Sequence, residues 1–487
     1  MTQCRTAMTL HIVLVVLLAA RAARADSLIV NGTFDEWHNG LPVGWTVDVG
    51  ARNDDGPEST IRQVAGHAVM LEGNAQTKVW RYLSQPFDVK AGDYVRATFE
   101  AGAKGLRREG RQFDNCYVGL FVKDSSGKRL ALELAPIEEA GWVPGAVTVK
   151  VPERAATAEV MIFLSKTGQL AVRGVEVQRL DPQDCFSLLV DDLGRNYSFF
   201  ALKQIDWPQL AESFRDRAEA AASGDEFASV VCEMLAQLED LHVTVRTPSG
   251  ETLPTHQVGY RPNFDFRAIA GQLQNVRQIG KIGFVGRTPE GFGYVAIGSL
   301  ASDENSFNDL LAATVALFDA AGIVVDLRAN SGGAEDRARR IAGAFTDRPV
   351  VYARHQFRAG PKPDEFAPPR DRVLEPAGGM AYTRPVVCLI GPGCVSSGEG
   401  MALMFAALPH ATLVGQPTRG ASGNPGPLPL PNGVTVNYSR WVSLTPHGTP
   451  IEGRGVEPDV TVTHRGTGDP TFAAAVKLLA DQVRRQR

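Results

Sequence analysis

The spacing of hydrophobic positions along this chain changes twice. From residue 26 to about 182 it has period two, in runs such as Tyr94–Val95–Arg96–Ala97–Thr98–Phe99–Glu100, Tyr117–Val118–Gly119–Leu120–Phe121–Val122 and Ala146–Val147–Thr148–Val149–Lys150–Val151. Alternation over so few residues predicts strands, and turn clusters such as Asp124–Ser125–Ser126–Gly127 separate them. Many short strands in sequence predict an all-β sandwich. After the linker Asp181–Pro182–Gln183–Asp184 the period becomes helical. Asp206–Trp207–Pro208 supplies a cap and an early proline, and Phe227, Val230, Val231, Met234, Leu235 and Leu238 share one face of a predicted helix over 226–238. That helix runs into Glu239–Asp240–Leu241–His242–Val243–Thr244–Val245, where period two returns, so His242 stands at a helix-to-strand junction.

From Gly293 strands and helices alternate. Strands are predicted at Tyr294–Ile297, Gly322–Leu327, Pro385–Ile390 and Ala411–Gly415, with helices around Phe307–Phe318, Glu335–Phe345 and Gly400–Leu408. Continuously apolar strands between helices predict a parallel sheet covered on both faces. Val434–Ser439 and Trp441–Leu444 read as a hairpin-type pair.

Length and composition narrow the classes. A chain of 487 residues exceeds what one hydrophobic core usually supports. A net charge of −4 gives no electrostatic basis for nucleic acid or an anionic membrane as partner. Residues 1–25 read as a signal peptide, with Arg5 in the n-region, Leu10–Ala20 as a short apolar core and Ala23–Arg24–Ala25 as the cleavage site. This predicts export, to the periplasm or the cell exterior. No later stretch is long and apolar enough to predict a spanning helix. Cys116, Cys185, Cys232, Cys388 and Cys394 are widely spaced with no C-x-x-C, so no zinc site is predicted.

The chemistry concentrates at two turns. Pro385–Ile390 leads through Gly391–Pro392–Gly393 to Ser396 and Ser397, and a helix follows. A hydroxyl at a strand-to-helix turn meets unpaired amides and the positive end of the helix dipole, which suits a serine nucleophile. A plain N-cap is the alternative for either serine. The second turn, Gly332–Gly333, follows strand Gly322–Leu327. Ligand crevices in α/β sheets lie at strand carboxyl ends, so both turns should face one cleft. Amides of Gly332 or Gly333 and of Ser397 could then form an oxyanion hole.

At these residues the chain resembles the tail-specific (carboxy-terminal processing) serine peptidases. Val324–Gly333 is similar to their DLR-x-N-x-GG block, Val395–Glu399 to the nucleophile block, Val414–Gly420 to VGEPTxG and Ile451–Val460 to the closing G-V-x-P-D block. Four motifs in order make the resemblance specific over roughly 187–487, and it implies an α/β, crotonase-like peptidase core. The Ser–Lys branch places a lysine after PTxG, but this chain has Ala421 there and no lysine between Ser396 and Lys477. The pattern Leu238–Glu239–Asp240–Leu241–His242 instead resembles the tricorn core branch, which implies His242 as general base. The remaining histidines of this region, His256, His355, His410, His447 and His464, lie outside matching motifs. By the same resemblance Glu452 orients the imidazole. That branch relays through a serine before the histidine, where this chain has Leu241, so Glu452 or Asp240, directly or through Thr244, stays open. Glu399 is read as a helix-capping residue, and Asp326 and Arg328 as fixing the strand end.

The segment from Leu28 to Trp45 resembles the start of galactose-binding-like jelly rolls, so Trp37, Trp45, Trp80 and Trp142 are candidates for stacking on sugar or for packing. The whole reads as a multidomain chain: a signal peptide (1–25), a jelly-roll sandwich (26–182), a helical subdomain (187–246) and an α/β serine peptidase core (247–487). The implied activity is acyl-enzyme cleavage of peptide or unfolded protein, with Ser396, His242 and Glu452 as catalytic residues and Gly332, Gly333 and Ser397 at the oxyanion. No metal or organic cofactor is implied, and the sandwich could carry a glycan. The competing reading is an inactive peptidase-like scaffold that binds glycan or protein.

Overall fold

The computed structural model describes residues 27–49, 56–65, 67–106, 116–137, 140–165, 167–360, 362–463 and 468–486. The predicted signal segment, Cys4 and His464 fall outside them. The N-terminal strands form two five-stranded antiparallel sheets. One is ordered Ala140–Lys150, Tyr94–Lys104, Gly168–Arg179, Ala68–Gly73, Thr60–Val64. The other is Thr46–Val49, Arg81–Asp88, Ala155–Leu164, Cys116–Asp124, Arg129–Pro136. Because side chains alternate faces along a strand, Val95, Ala97 and Phe99 from the first sheet meet Val118, Leu120 and Val122 from the second in one core. Trp45 belongs to that core, whereas Trp142 is 41% exposed and lies under the Arg173 guanidinium.

Helices Cys185–Asn196, Trp207–Glu219 and Gly224–Ala236 follow. The Asp206 side chain caps the second by accepting from the Gln209 amide at 3.0 Å, with Pro208 in the first turn where its missing N–H costs nothing. Their apolar faces pack on Leu428, Leu430, Val434, Val436 and Tyr438. Those residues come from a four-stranded sheet ordered Thr252–Pro254, Thr244–Arg246, Thr435–Ser439, Pro425–Pro429. The hairpin expected over 434–444 is absent. Thr435–Ser439 pairs with Pro425–Pro429, whereas Val442–Leu444 pairs with Val350–Gln356 in another sheet. The chain turns between them because the Arg440 and Trp441 amides both donate to the Gly423 carbonyl, at 2.8 and 3.2 Å.

A seven-stranded sheet carries the two glycine turns. Its order is Gln274–Ile279, Gly283–Arg287, Gly293–Ile297, Ile323–Asp326, Val386–Ile390, Ala411–Gly415, Val460–Thr461, and the last five are mutually parallel. Val386, Cys388 and Ile390 face one core, with helix Ser397–Ala406, while Val387 and Leu389 face the other, with helix Pro470–Gln486. Both faces are dry, which explains the uninterrupted apolar runs. Ile323–Asp326 and Val386–Ile390 are adjacent and parallel, so the turns that leave their carboxyl ends emerge side by side. Of the five described cysteines, Cys116, Cys185, Cys388 and Cys394 are buried and Cys232 is half-buried. Among the described residues no helix is long and apolar enough to cross a membrane.

Candidate active site

Ser396 occupies the turn between Val386–Ile390 and helix Ser397–Ala406 with φ +59° and ψ −127°. A non-glycine residue is costly in that region, and such strain is retained where surrounding contacts enforce it. Here they do: the Ser396 amide donates to the Ala421 carbonyl (3.2 Å) and to Glu399 Oε2 (3.1 Å), and Val395 N–H donates to the Asn330 carbonyl at 3.0 Å. The Ser396 hydroxyl is turned toward the imidazole of His242. It lies 3.0 Å from His242 Nε2.

His242 reaches that position from the segment joining helix Gly224–Ala236 to strand Thr244–Arg246. Buried Asp240 accepts the His242 backbone N–H at 2.8 Å through Oδ1 and the Tyr197 hydroxyl at 3.1 Å through Oδ2. The ring is fixed by a different group. His242 Nδ1 is 2.9 Å from the Ser422 carbonyl oxygen. A carbonyl only accepts, so Nδ1 carries the proton and Nε2 turns its lone pair to the Ser396 hydroxyl.

Neither candidate carboxylate touches the imidazole, and Thr244 is occupied with Asn437 instead. Glu452 Oε2 accepts the Ser422 amide at 2.8 Å and the Ser422 hydroxyl at 3.0 Å, while Oε1 pairs with Lys203 at 3.3 Å. Glu452 is thus one residue removed from the imidazole, bonded to the loop whose carbonyl meets the ring. Ser422 is the residue that reading the sequence missed. Its signal was its place immediately after Ala421, at the position where the lysine branch diverges.

Burial, and then the negative charge of Asp240, push the Glu452 carboxyl up to about 8 against the opposing pull of Lys203. A carboxyl raised in the folded chain binds its proton more tightly there than when unfolded. Its contribution is thus full below its unfolded value of about 4.3 and is lost as pH rises through 8. Urea titrations at pH 5 and pH 8.5 should show stability falling over that window. Glu452→Gln, uncharged at both, should remove on the order of 3 kcal/mol of the difference.

Glu399 is fully buried and accepts four hydrogen bonds: from the Thr418 hydroxyl (2.6 Å) and the amides of Gly420 (2.7 Å), Ala421 (2.8 Å) and Ser396 (3.1 Å). Burial raises its carboxyl to about 7, and those donors hold it from going higher. It ties the turn that carries Ser396 to the loop that leads into Ser422.

The glycine turn divides its tasks. The Gly332 amide donates to Asn330 Oδ1 at 2.9 Å, so it is not the free oxyanion donor expected from the sequence. Among the described residues the amides of Gly333 and Ser397 have no acceptor, and the Ser397 hydroxyl bonds the Gly333 carbonyl at 2.6 Å. Gly332 contributes by its shape. It has φ +81°, and a Cβ there would lie 2.8 Å from Ser396 Cβ. Gly332→Ala should displace the hydroxyl and slow turnover by about a hundredfold, measured as kcat with the fold checked by circular dichroism.

Residues 291–462 match the model of peptidase family S41 and residues 179–236 that of the tricorn protease C1 domain; His242 lies between the two. The chain is 27% identical over 227 residues to a carboxy-terminal-processing protease of Bartonella bacilliformis, covering 45% of this chain and 48% of that protein. It is 26% identical over 141 residues to the carboxy-terminal processing protease CtpA of Bacillus subtilis, covering 29% of this chain and 28% of the relative. The chain thus spans half or less of the length of these relatives. A Parabacteroides merdae crystal structure designated a peptidase superposes with a TM-score of 0.54 at 26% identity, over 62% of this chain and 97% of that one.

Proposed function

We propose that this chain, similar to the carboxy-terminal processing proteases and matched over residues 291–462 by peptidase family S41, is an exported serine endopeptidase that cleaves peptide bonds through an acyl-enzyme. The observation that carries the proposal is the 3.0 Å approach of His242 Nε2 to Ser396 Oγ, with the imidazole tautomer set by the Ser422 carbonyl. Ser396 Oγ attacks the scissile carbonyl carbon as Nε2 takes its proton. The oxyanion is held by the amides of Gly333 and Ser397. The protonated imidazole is stabilised by the Ser422 carbonyl, whose loop Glu452 holds through the Ser422 amide and hydroxyl. It returns the proton to the leaving amine, and water then releases the acyl group by the same steps in reverse roles.

Glu452, Ser422 and Asp240 are positioning residues in this scheme, and it uses no metal or organic cofactor. The n-region, apolar core and cleavage pattern of residues 1–25 support export. We assign the two-sheet segment to the galactose-binding-like jelly rolls and the seven-stranded sheet with its helices to the crotonase-like class. Trp142, exposed beside Arg173, is the tryptophan best placed to meet a glycan.

Incubation of the purified chain with casein, an unstructured polypeptide, tests the activity. Internal cleavage products in the mass spectrum, absent with Ser396→Ala, are the predicted result. Intact casein across the neutral pH range would favour the inactive scaffold instead.

A further inference from the structure

A cavity lies between the sandwich and the peptidase region, and neither Ser396 nor His242 lines it. Its volume is about 510 Å³. Protein interiors rarely hold voids much larger than a water molecule, which takes up roughly 30 Å³, so a space of this size is a site rather than a packing defect. Phe99, Leu134 and Val147 form its wall on the sandwich side, and Phe357 and Leu428 the wall on the other.

Two arginines line it, and neither has a carboxylate within ion-pair distance among the described residues. Arg358 donates only to the carbonyls of Tyr197 (3.3 Å), Gly360 (3.2 Å) and Lys362 (2.8 Å). Arg440 donates to the Pro427 carbonyl at 2.7 Å. In both, the Nε atom is buried with no acceptor. Buried polar groups are normally paired, and an orphaned guanidinium N–H is costly. Asp192, also in the wall, is already taken by Arg96 (3.2 Å) and by the Tyr438 hydroxyl (2.5 Å). Glu133 faces Arg440 across the cavity without ion-pairing to it.

We propose that this interdomain cavity binds an apolar molecule ending in a carboxylate, its tail among Phe99, Leu134 and Leu428 and its anionic end on Arg440 and Arg358. A guanidinium matches a carboxylate in charge and shape, and the polar side chains of Thr148, Asn196 and Asn424 also line the space. The cavity adjoins the catalytic loop: Asn424 lines it, and the Arg440 amide donates at 2.8 Å to Gly423, next to Ser422.

Isothermal titration calorimetry on the full chain tests this with decanoate, with decanol as its uncharged counterpart, and with an apolar hexapeptide as free acid and as amide. The proposal predicts saturable binding of decanoate or of the peptide acid, whichever source the site serves, with the uncharged partner weaker by about ten- to a hundredfold. Arg440→Gln should weaken the acid by a similar factor. Leu134→Trp, which fills the cavity from the sandwich side and leaves the arginines in place, should abolish binding. Equal affinity for acid and uncharged partner, or no saturable heat from either acid, overturns it. So does binding that survives Leu134→Trp. The titrations use the Ser396→Ala chain, in which the proposed chemistry cannot consume the peptide, so this result stands or falls separately from the peptidase reading.

Discussion

Ser396→Ala should reduce peptide hydrolysis by on the order of 10⁴–10⁶ in kcat, and His242→Ala by a comparable factor. The two act as one unit across the 3.0 Å contact between hydroxyl and imidazole, so the double variant should be scarcely slower than either single one. Independent roles would multiply the two losses. The activity that remains should come from the amides of Gly333 and Ser397, which neither substitution touches. Ser422→Ala separates the levels of the site. It keeps the carbonyl on His242 Nδ1 and removes only the hydroxyl bonded to Glu452 at 3.0 Å, so its loss should be far smaller. Steady-state kinetics on one peptide substrate across the four variants checks all of this.

Arg328→Met should cost about 3–5 kcal/mol of stability, a large part of the roughly 5–15 kcal/mol that holds a folded chain together. The guanidinium is completely buried. It bonds Asp326 through Nε (3.0 Å) and one terminal nitrogen (2.6 Å), and Asp469 (2.8 Å) and the Asn263 carbonyl (2.6 Å) through the other. Burial alone would lower its pKa, but the two carboxylates raise it above the ordinary value, so it stays charged. Methionine matches much of its length and leaves two buried carboxylates without a cation. The damage should spread, because Asp469 also accepts the amides of Asp265 (2.9 Å) and Phe472 (2.8 Å), at the start of helix Pro470–Gln486. Urea denaturation measures the loss, and adding Asp326→Asn with Asp469→Asn should recover part of it by removing the stranded charges.

The sequence made the strand-to-helix turn at Ser396 legible because a buried apolar strand, a glycine turn and a helix are each local patterns. The pairing of His242 with Ser396 was legible only through the resemblance, since nothing local to His242 points across 154 positions. Ser422 was hidden for a related reason. Its contribution to His242 is a backbone carbonyl, which every residue has, so only its place after Ala421 could point to it. Sequence left Gly332 and Gly333 as alternative donors because glycine signals a conformation, and the acceptor that takes the Gly332 amide, Asn330 Oδ1, is fixed only by the folded loop. The hairpin expected over 434–444 failed on similar grounds: two good strand patterns do not say which partner each chooses.

The central claim is that Ser396 is a nucleophile activated by His242. Incubating the full chain with a fluorophosphonate probe and mapping the adduct by mass spectrometry tests it most directly. The account predicts a single stoichiometric adduct on Ser396 that is lost in His242→Ala while the variant remains folded. No adduct on the folded wild-type chain, or equal labelling of Ser396 with and without the imidazole, would contradict it.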